Sequence, residues 1–313
     1  MLRLNRMIFP VLLCLGLVAQ ARQHSFLPDT LTVAFTGDVL LDRGVGRVIR
    51  YDGADRLFSR SVDSLFAASD LVVGNLECPV TDVSSPVNKR YVFRGSPSVL
   101  PVLRRHGFTH LNLANNHTID QGRCGLVATD SLVRQCGMVP LGYGRTAALA
   151  ARPVLLASSP RNVYLLSSLR VMSENYVYMP EMPSVCESSV QVLCDSVRLL
   201  RHREPGACIV VMLHWGVEHT LHPMPEQRIA AHRLIDAGAD AVVGHHSHTV
   251  QDVEYYRGRP VYYSLGNFIF DQSRPVNARG LVAVLRITAH GLSAASVPIE
   301  IQRCVPKVVG VGE

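Results

Sequence analysis

The sequence lacks several features that would assign it to a class by composition alone. Only 18% of its 313 residues are charged, and it contains no long low-complexity run. Its eight cysteines include no CxxC pair, so neither a cysteine zinc site nor a disulfide scaffold is predicted. Cys186 and Cys194 are the expected pair if any disulfide forms. The length predicts one large core, or a large core with a small lobe.

No concentrated run of basic residues accompanies the formal charge of +6. The densest group is Arg198, Arg201, His202 and Arg203 on one predicted helix, and such a group is typical of a solvated face. We therefore do not predict nucleic-acid binding. An anionic polymer or a small anionic substrate remains compatible with the charge balance.

Residues 1–21 have the pattern of a secretory signal peptide. Arg3 and Arg6 precede the apolar stretch 7–18, and small residues end the segment at Ala21. The apolar stretch covers 12 residues, whereas a membrane-spanning helix needs roughly 20. We expect cleavage, no stable transmembrane span afterwards, and export to the periplasm or the extracellular space. The alternative is an uncleaved N-terminal membrane anchor.

A cluster of histidines follows one apolar run. Ala241–Val243 resembles the end of a buried strand and leads into Gly244 and then His245, His246, Ser247 and His248. Neutral imidazole is the commonest side-chain metal ligand. A predicted hairpin then returns to a second polar loop at Gly266 and Asn267. The cluster predicts a metal site, with an ordinary surface histidine cluster as the alternative.

The same arrangement of an apolar strand followed by polar side chains occurs five times. The predicted strands are Leu31–Phe35, Leu71–Val73, Thr109–Leu113, Cys208–Leu213 and Asp240–Val243. The side chains that follow them are Asp38, Asn75 with Glu77, Asn116 with His117, His214 with Glu218, and His246 with His248. Predicted helices alternate with these strands, and α/β proteins place ligands at the carboxyl ends of strands. Turn-capping Asp and Asn residues, or a core histidine beside Trp215, would be the structural alternatives.

These side chains together predict a metal site for Zn, Mn or Fe, with one or two divalent ions. Arg43, Arg94 and Arg274 are candidates to hold the carboxylates or phosphates of a substrate. The irregular segment 78–95 is predicted to be either a lid or substrate wall or a plain surface loop. A helix is expected from Asp55, and the tail from Val305 is expected to be frayed.

Six motifs resemble those of the CapA-type poly-γ-glutamate capsule proteins. They are TGDV, GNLE, ANNH, HWGVEH, GHHSH and YSLGNFIFDQ, in that order between Leu31 and Gln272. That family is similar to the calcineurin-like metallophosphoesterases. The resemblance implies an α/β fold, a four-layer metallophosphoesterase-like β-sandwich with helices on both outer faces. Residues 31–272 would form the domain, and 273–313 would complete it with a strand pair and a tail.

The resemblance also implies roles for individual residues. The implied metal ligands are Asp38, Glu77, Asn116, His214, His246 and His248. His117 would act near the leaving group, and we assign Glu218 as a second catalytic residue. The predicted substrate-binding residues are Arg43, Asn75, Arg94, Asn267 and Arg274. The sequence departs from the parent fold where Leu40 stands in place of a histidine, where Glu77 replaces an aspartate, and where His245 precedes the His-x-His pair.

Two functions from different classes follow from these residues and from the resemblance. The first is metal-dependent hydrolysis or transfer at phosphoester or γ-glutamyl amide bonds, in the handling of a capsule-type polymer. The second is a non-catalytic envelope protein that binds an anionic polymer for export or retention, with possible cell-envelope biosynthesis partners. A nucleic-acid phosphodiesterase is a weaker prediction, since no basic stripe is visible in the sequence.

Overall fold

The computed structural model describes residues 29–272 and 274–311. The expected signal peptide, 1–21, lies outside the described residues. Among the described residues, no helix combines the length and the apolar character that a membrane crossing requires.

Strands dominate the described chain. They are Thr30–Val39 (β1), Leu71–Leu76 (β2), His110–Asn112 (β3), Val139–Leu141 (β4), Tyr143–Gly144 (β5), Val154–Ala157 (β6), Val163–Leu169 (β7), Ser184–Val185 (β8), Cys208–His214 (β9), Ala241–His245 (β10), Val253–Tyr256 (β11), Arg259–Tyr262 (β12), Asn267–Ile269 (β13), Arg279–Thr288 (β14), Leu292–Gln302 (β15) and Val305–Val308 (β16). The α-helices are Arg43–Asp52 (α1), Arg60–Ala67 (α2), Leu100–Arg105 (α3), Gly122–Gln135 (α4), Ala147–Ala150 (α5), Val190–Arg203 (α6) and Pro225–Asp236 (α7).

Two large sheets organise these elements. The first has the strand order β16-β15-β14-β1-β2-β3-β4, with β13 also paired to β1. The second has the order β11-β12-β10-β9-β7-β6. Strands β1 to β4 run parallel to one another, and so do β7, β9, β10 and β12. The carboxyl ends of the parallel strands in each sheet therefore lie at one edge, where α/β proteins place their ligands.

Side chains along each strand point alternately to the two faces of its sheet, so the fold has four layers: helices, two sheets, and helices. In β1, Val33 and Phe35 face the second sheet, whereas Ala34 faces the helices. The outer face of the first sheet is covered by apolar side chains of α1 to α4, among them Val45, Val62, Phe66, Leu103 and Leu126. The outer face of the second sheet is covered by α6 and α7, through Leu193, Val197, Ala231 and Leu234. This is the predicted sandwich of two sheets between helices, and the fold class is confirmed.

Two local predictions were wrong, and one helix was missed. A helix was expected from Asp55, but a 3-10 turn occupies Ala54–Leu57 and α2 begins at Arg60. Helix α1 carries two glycines and was not predicted. Its N-cap is Asp42, whose side chain accepts a hydrogen bond from the Arg43 amide. The tail expected to fray from Val305 is strand β16, paired with β15.

Two serines of the α2 region explain why β16 is ordered. Ser59 Oγ donates to the carbonyl oxygen of Pro306 at 2.7 Å, and the Val308 amide donates to Ser61 Oγ at 3.1 Å. The expected Cys186–Cys194 pair is also wrong, since both are free thiols. Cys186 lies against the Ser188 hydroxyl at 3.3 Å, and Cys194 packs into the core beneath α6.

Gly244 is required by close packing, and its replacement gives a first testable prediction. A Cβ at Gly244 would lie 2.0 Å from the carbonyl oxygen of Tyr263. We expect Gly244→Ala to lower the free energy of unfolding by about 3 kcal/mol, because the backbone must shift to accept the methyl group. Urea unfolding followed by circular dichroism measures the change. The control is Gly206→Ala, where a Cβ meets nothing within 4 Å; an equal loss in both variants would contradict the packing argument.

Candidate metal centre

The predicted ligand side chains meet at the carboxyl ends of the strands. Each comes from the end of a strand or from the loop that follows it. They are Asp38 of β1, Glu77 after β2, Asn116 and His117 after β3, His214 at the end of β9, and His246 and His248 after β10. Both sheets contribute, so the group lies where their carboxyl edges face each other.

One half of the centre joins Glu77 with two imidazoles. Ligand atoms of Glu77, His214 and His246 lie within 4.8 Å of one another. His214 Nε2 lies 3.1 Å from His246 Nδ1 and 3.8 Å from Glu77 Oε1. The Asn116 side-chain oxygen is 2.8 Å from the same His214 nitrogen. These four residues therefore converge on one point.

The other half joins Asp38, Glu77 and His248, whose ligand atoms also lie within 4.8 Å of one another. His248 Nδ1 is 3.4 Å from Asp38 Oδ2, and His248 Nε2 is 3.6 Å from Glu77 Oε1. Glu77 belongs to both halves. A carboxylate shared in this way can bridge two ions, so the longer side chain at the position of the usual aspartate still reaches both groups.

The buried carboxylates carry oxygens without hydrogen-bond partners. Among the described residues, Asp38 Oδ2 and both Glu77 oxygens are buried and accept no hydrogen bond. Buried polar atoms are almost always satisfied, and exceptions require an explanation. A cation at the convergence point would satisfy these oxygens. Carboxylate, amide and imidazole donors together suit a divalent transition ion, so the residues fit one or two such ions.

The pKa values of the two carboxyl groups shift in opposite directions. Burial, reinforced by the neighbouring Asp38 charge, raises the pKa of Glu77 well above its usual range. Burial would also raise the pKa of Asp38, but the adjacent His248 imidazole and the charge of His245 lower it overall. Burial opposes the charge on His248, but Glu77 and Asp38 raise its pKa to about 9. Without an ion, a protonated His248 thus compensates the carboxylates.

The remaining imidazoles are held neutral. Burial and the nearby His246 lower the pKa of His214 well below its usual range. Burial and the charge of His248 lower the pKa of His246 to about 4. A neutral imidazole has a lone pair free for an ion, so these two side chains are ready to ligate at neutral pH.

Strained backbone accompanies the histidines of the centre. His246 has a φ of 94°, His248 of 55° and His219 of 60°, all in the left-handed region that side chains rarely adopt. Strain of this kind persists where the surrounding structure imposes it, and it clusters at functional sites. The strained backbone directs these imidazoles toward one point, and the strain lowers the local stability.

A buried amide network holds Asp38 in place. Asn75 Nδ2 donates to Asp38 Oδ1 at 2.8 Å and lies 3.2 Å from His214 Nδ1. Asn112 and Asn115 in turn donate to Asn75 Oδ1, at 2.9 Å and 3.3 Å. Asn75 was predicted to bind substrate, and the structure places it fully buried behind the ligands. Asn112 and Asn115 were not singled out in the sequence, where Asn is a common turn residue.

Asn267 also lies behind a ligand. Its side-chain oxygen is 2.9 Å from His248 Nδ1, and its amide nitrogen donates to the carbonyl oxygen of Asn277 at 2.9 Å. Its side chain is buried. The structure therefore places this predicted substrate-binding residue where it orients His248.

His117 is backed by an ion pair that the sequence did not reveal. His117 Nδ1 lies 2.8 Å from Asp120 Oδ2, and Asp120 Oδ1 lies 2.6 Å from the Lys89 ammonium group. Lys89 also donates to the carbonyl oxygen of Asn116 at 2.9 Å. The Lys89 and Asp120 side chains are 2% and 0% exposed, so this pair is isolated from solvent. The only signal available was a lysine within the irregular segment 78–95.

The other predicted residues lie around the mouth of the centre. Glu218 is half exposed, and its charge acts on Glu77, His246 and His248. Beside it stands His219, absent from the predicted set, with its ring centroid 6.0 Å from that of His248. Arg274 is exposed. Burial and the charges of His248 and Arg274 lower the pKa of His219, so Arg274 lies near that ring.

Two predicted arginines are not directed into the centre. Arg43 is paired with Asp271 through its guanidinium group. Its guanidinium carbon lies 5.2 Å from the centroid of the Phe93 ring. Arg94 is exposed and lines a separate cavity of about 620 Å³ with Asp42 and Arg50. Neither side chain contacts a ligand residue of the centre in the described structure.

A known protein family matches the part of the chain that contains this centre. The family model described as bacterial capsule synthesis protein PGA_cap matches residues 32–272, which include every residue of the centre. The chain belongs to the PGA_cap family.

Two relatives with curated names are similar to this chain over most of their length. The PGA biosynthesis protein CapA of Bacillus subtilis is 29% identical over 298 residues, 94% of this chain and 78% of the relative. The capsule biosynthesis protein CapA of Bacillus anthracis is 29% identical, covering 90% and 70%.

Solved structures similar to this PGA_cap chain share its fold. A hypothetical protein from Thermus thermophilus matches with a TM-score of 0.52 at 15% identity, over 87% of this chain and 100% of that one. The NAD nucleotidase of Haemophilus influenzae matches with a TM-score of 0.52 at 12% identity, over 87% and 56%. At these identities the likeness establishes the metallophosphoesterase-like fold and nothing about activity.

Metal binding to this PGA_cap centre should release protons. In the ion-free protein at pH 7, His248 holds a proton, because the Glu77 and Asp38 charges raise its pKa to about 9. Ligands must be deprotonated, so we expect on the order of one proton to be released as the centre fills. The affinity for Mn²⁺ or Zn²⁺ should consequently rise with pH between 6 and 9. Calorimetric titration in buffers of different protonation enthalpy measures the number of protons.

Two variants sharpen this measurement. Glu77→Gln should abolish tight binding, because it removes the carboxylate common to both halves of the centre. Glu226→Gln removes an exposed carboxylate on α7 and should leave the proton count unchanged. Binding without proton release in the unsubstituted protein would show that the ion sits elsewhere.

The Lys89–Asp120 pair yields a stability prediction. Lys89→Met leaves the Asp120 carboxylate buried without its cation, so we expect the free energy of unfolding to fall by about 3–5 kcal/mol. Adding Asp120→Asn to this variant should recover part of the loss, because the unpaired charge is removed. Arg90→Met, an exposed neighbour, is the matched control and should change stability by less than about 0.5 kcal/mol. Additive effects of the two buried substitutions would argue against the pair.

Proposed function

We propose that this PGA_cap protein is an exported, metal-dependent hydrolase or transferase that acts on phosphoester or γ-glutamyl amide bonds in the handling of a capsule-type polymer. One observation carries the proposal. Buried carboxylate oxygens without hydrogen-bond partners converge with neutral imidazoles at the edge of both sheets. The proposal of export rests on the sequence pattern of residues 1–21. Mass spectrometry of the mature protein tests it, since an N-terminus at Gln20 or earlier would contradict cleavage after Ala21.

The centre would hold one or two ions of Mn, Zn or Fe. Asn116, His214 and His246 would bind one ion, Asp38 and His248 the other, and Glu77 both. Bound ions would act as Lewis acids and activate water for attack on the substrate. The protein's own contribution is to fix the ligand geometry through Asn75 and Asn267 and to exclude water from the buried side.

His117 is the proposed proton donor to the leaving group. Asp120 accepts from one ring nitrogen, which leaves the other nitrogen to face the reacting group. The Phe93 ring lies against His117 with a centroid distance of 4.2 Å and restricts its rotation. To donate, the second nitrogen must carry a proton, so the imidazolium form is the acid. Burial is the largest influence on the His117 pKa and lowers it, while Asp120 acts in the opposite direction and favours the imidazolium. Glu218 and Arg274 stand at the open side, where they would contact the substrate.

A non-catalytic function has one observation in its favour. Leu40 is fully buried at the position where the parent fold supplies a histidine. The half of the centre built by Asp38 and His248 therefore has fewer ligands than the other half. A protein with one weak site could retain an anionic polymer in the envelope without cleaving it.

Replacing His117 tests the catalytic proposal. With Mn²⁺ or Zn²⁺ added, we expect His117→Ala to slow turnover of an alkyl phosphodiester by roughly 10²–10⁴-fold, the usual contribution of general acid catalysis. A nitrophenyl ester should be affected much less, because its leaving group departs without a proton. Metal binding, measured in parallel by calorimetry, should be retained. His290→Ala, an exposed histidine far along the chain in the β14–β15 turn, is the control.

A substrate screen separates the two functions. It comprises a generic phosphodiester, a phosphomonoester and a γ-glutamyl amide, each assayed with added metal. Turnover abolished by His246→Ala supports the enzyme. Absence of turnover on all three, together with polymer binding that survives His246→Ala, supports the non-catalytic binder.

A further inference from the structure

Arg43 contacts two phenylalanine rings that belong to distant parts of the chain. Its guanidinium carbon lies over the Phe93 ring, 5.2 Å from the centroid, and over the Phe270 ring, 5.7 Å from the centroid. Cation–π attraction extends to about 6 Å from a ring centroid, so both contacts are favourable. Both rings are buried. One cation therefore holds two buried rings together.

Each of these rings packs against a different imidazole of the site. The Phe93 ring lies 4.2 Å from that of His117, the proposed proton donor, measured between centroids. The Phe270 ring lies 4.8 Å from that of His248, a residue of the metal centre. Each imidazole is in hydrogen-bond contact through its Nδ1 atom. The adjacent phenylalanine limits the remaining rotation of the imidazole and so sets the direction of its second nitrogen.

The guanidinium group of Arg43 is itself fixed by Asp271. Arg43 Nε donates to one carboxylate oxygen of Asp271 at 3.0 Å, and Nη2 donates to the other. Two parallel bonds of this kind fix the orientation of the guanidinium plane as well as its position. The Gly44 amide donates to the same carboxylate at 2.9 Å, and a Cβ at Gly44 would lie 2.6 Å from the Asp271 Cβ. We call Arg43 and Asp271 the arginine clamp.

The backbone at the start of α1 is shaped to present the clamp. Arg43 has a φ of 52°, in the left-handed region that residues other than glycine rarely adopt. Asp42 accepts hydrogen bonds from the Arg43 amide at 2.7 Å and from the Arg94 amide at 2.8 Å. The Asp42 carboxylate thus ties the start of α1 to the residue that follows Phe93. Strained conformations persist where the surrounding structure imposes them, and they cluster at functional sites.

Asp271 also anchors the short segment that packs against His248. The side-chain oxygen of Asn267, the first residue of β13, lies 2.9 Å from His248 Nδ1. Phe270 contacts the same imidazole, and Asp271 comes directly after it in the chain. The clamp therefore holds the end of a segment that contacts His248 twice, and a shift of this segment would change both contacts.

We propose that the arginine clamp positions both imidazoles, His117 through the first ring and His248 through the second. The inference rests on the proposed function for the roles of the two imidazoles. It gives Arg43 a positioning role in place of the substrate contact expected from the sequence. Groups that orient a metal ligand or a catalytic group typically contribute roughly 10–100-fold to metal affinity or activity. The loss of the clamp should therefore be measurable in both quantities.

Metal affinity tests the contact that runs through Phe270, and it requires no turnover. We expect Arg43→Met to weaken Mn²⁺ binding in calorimetry roughly tenfold, because His248 loses its orientation. Phe270→Leu leaves the ion pair of the clamp in place and should weaken binding to a similar degree. The double variant should bind no more weakly than either single variant, because both changes act on the same imidazole. Arg47→Met removes an exposed arginine one turn further along α1 and is the matched control, with full affinity expected.

Turnover tests the contact that runs through Phe93. At saturating Mn²⁺, Arg43→Met and Phe93→Leu should each lower kcat for an alkyl phosphodiester roughly tenfold, with little change in KM. A nitrophenyl ester should be affected much less, because its leaving group needs no proton from His117. Neither change should slow the His117→Ala variant further. A merely structural loss would instead affect both esters alike.

The outcomes distinguish this inference from the proposed function. A rise in KM with kcat unchanged would show that Arg43 contacts the substrate directly, and it would overturn the positioning role. Additive losses of metal affinity in Arg43→Met/Phe270→Leu, or an equal loss in Arg47→Met, would also overturn it. Full metal affinity in Phe270→Leu together with full turnover in Phe93→Leu would do so even if Arg43→Met failed to fold. If the unsubstituted protein turns over no ester or amide, yet its metal affinity falls in Arg43→Met and Phe270→Leu alone, the clamp stands for His248 and the catalytic proposal fails.

Discussion

The structure depends on the burial of two carboxyl groups whose oxygens the protein does not satisfy. Removing an ionised carboxylate from water costs several kcal/mol unless another charge compensates it. Here Asp38 and Glu77 lie side by side, and their charges repel each other. In the described chain a protonated His248 compensates part of this charge, and burial raises the pKa of Glu77 well above its usual range. A divalent ion would relieve both carboxyl groups at once, so the arrangement is most stable when it is occupied.

Such a centre requires a rigid frame, because the ligands come from separate places in the chain. The parallel strands of two sheets bring Asp38 and His214 to facing edges, and the cores on both sides fix the strands. The amide network through Asn75 then sets the rotation of Asp38 and His214. The left-handed backbone at His246 and His248 is strained, and the packed sheets on either side hold it in place.

The sequence was sufficient to predict which side chains converge, but not the groups that hold them. Asp38, Glu77, His214 and His248 follow apolar strands, and this order along the chain is a local pattern. The contacts of Lys89 with Asp120 and of Arg43 with Asp271 join positions 31 and 228 residues apart, through loops with no periodicity. Helix α1 escaped prediction because Gly44 and Gly46 weaken its helical signal. The sequence alone therefore did not show that Arg43, Arg47 and Arg50 share one helix.

The segment 78–95 illustrates how such a hidden contact changes a functional interpretation. Its sequence is compatible with a lid, a substrate wall or a surface loop. In the structure the Val87 amide donates to the Asp120 carbonyl oxygen and the Phe93 amide donates to the Asp120 carboxylate, while Lys89 forms the buried ion pair. Opening the segment as a lid would expose or separate all three contacts, and breaking a buried pair alone costs several kcal/mol. The contacts of Val87, Lys89 and Phe93 with Asp120 therefore hold this part of the segment as a fixed wall beside His117.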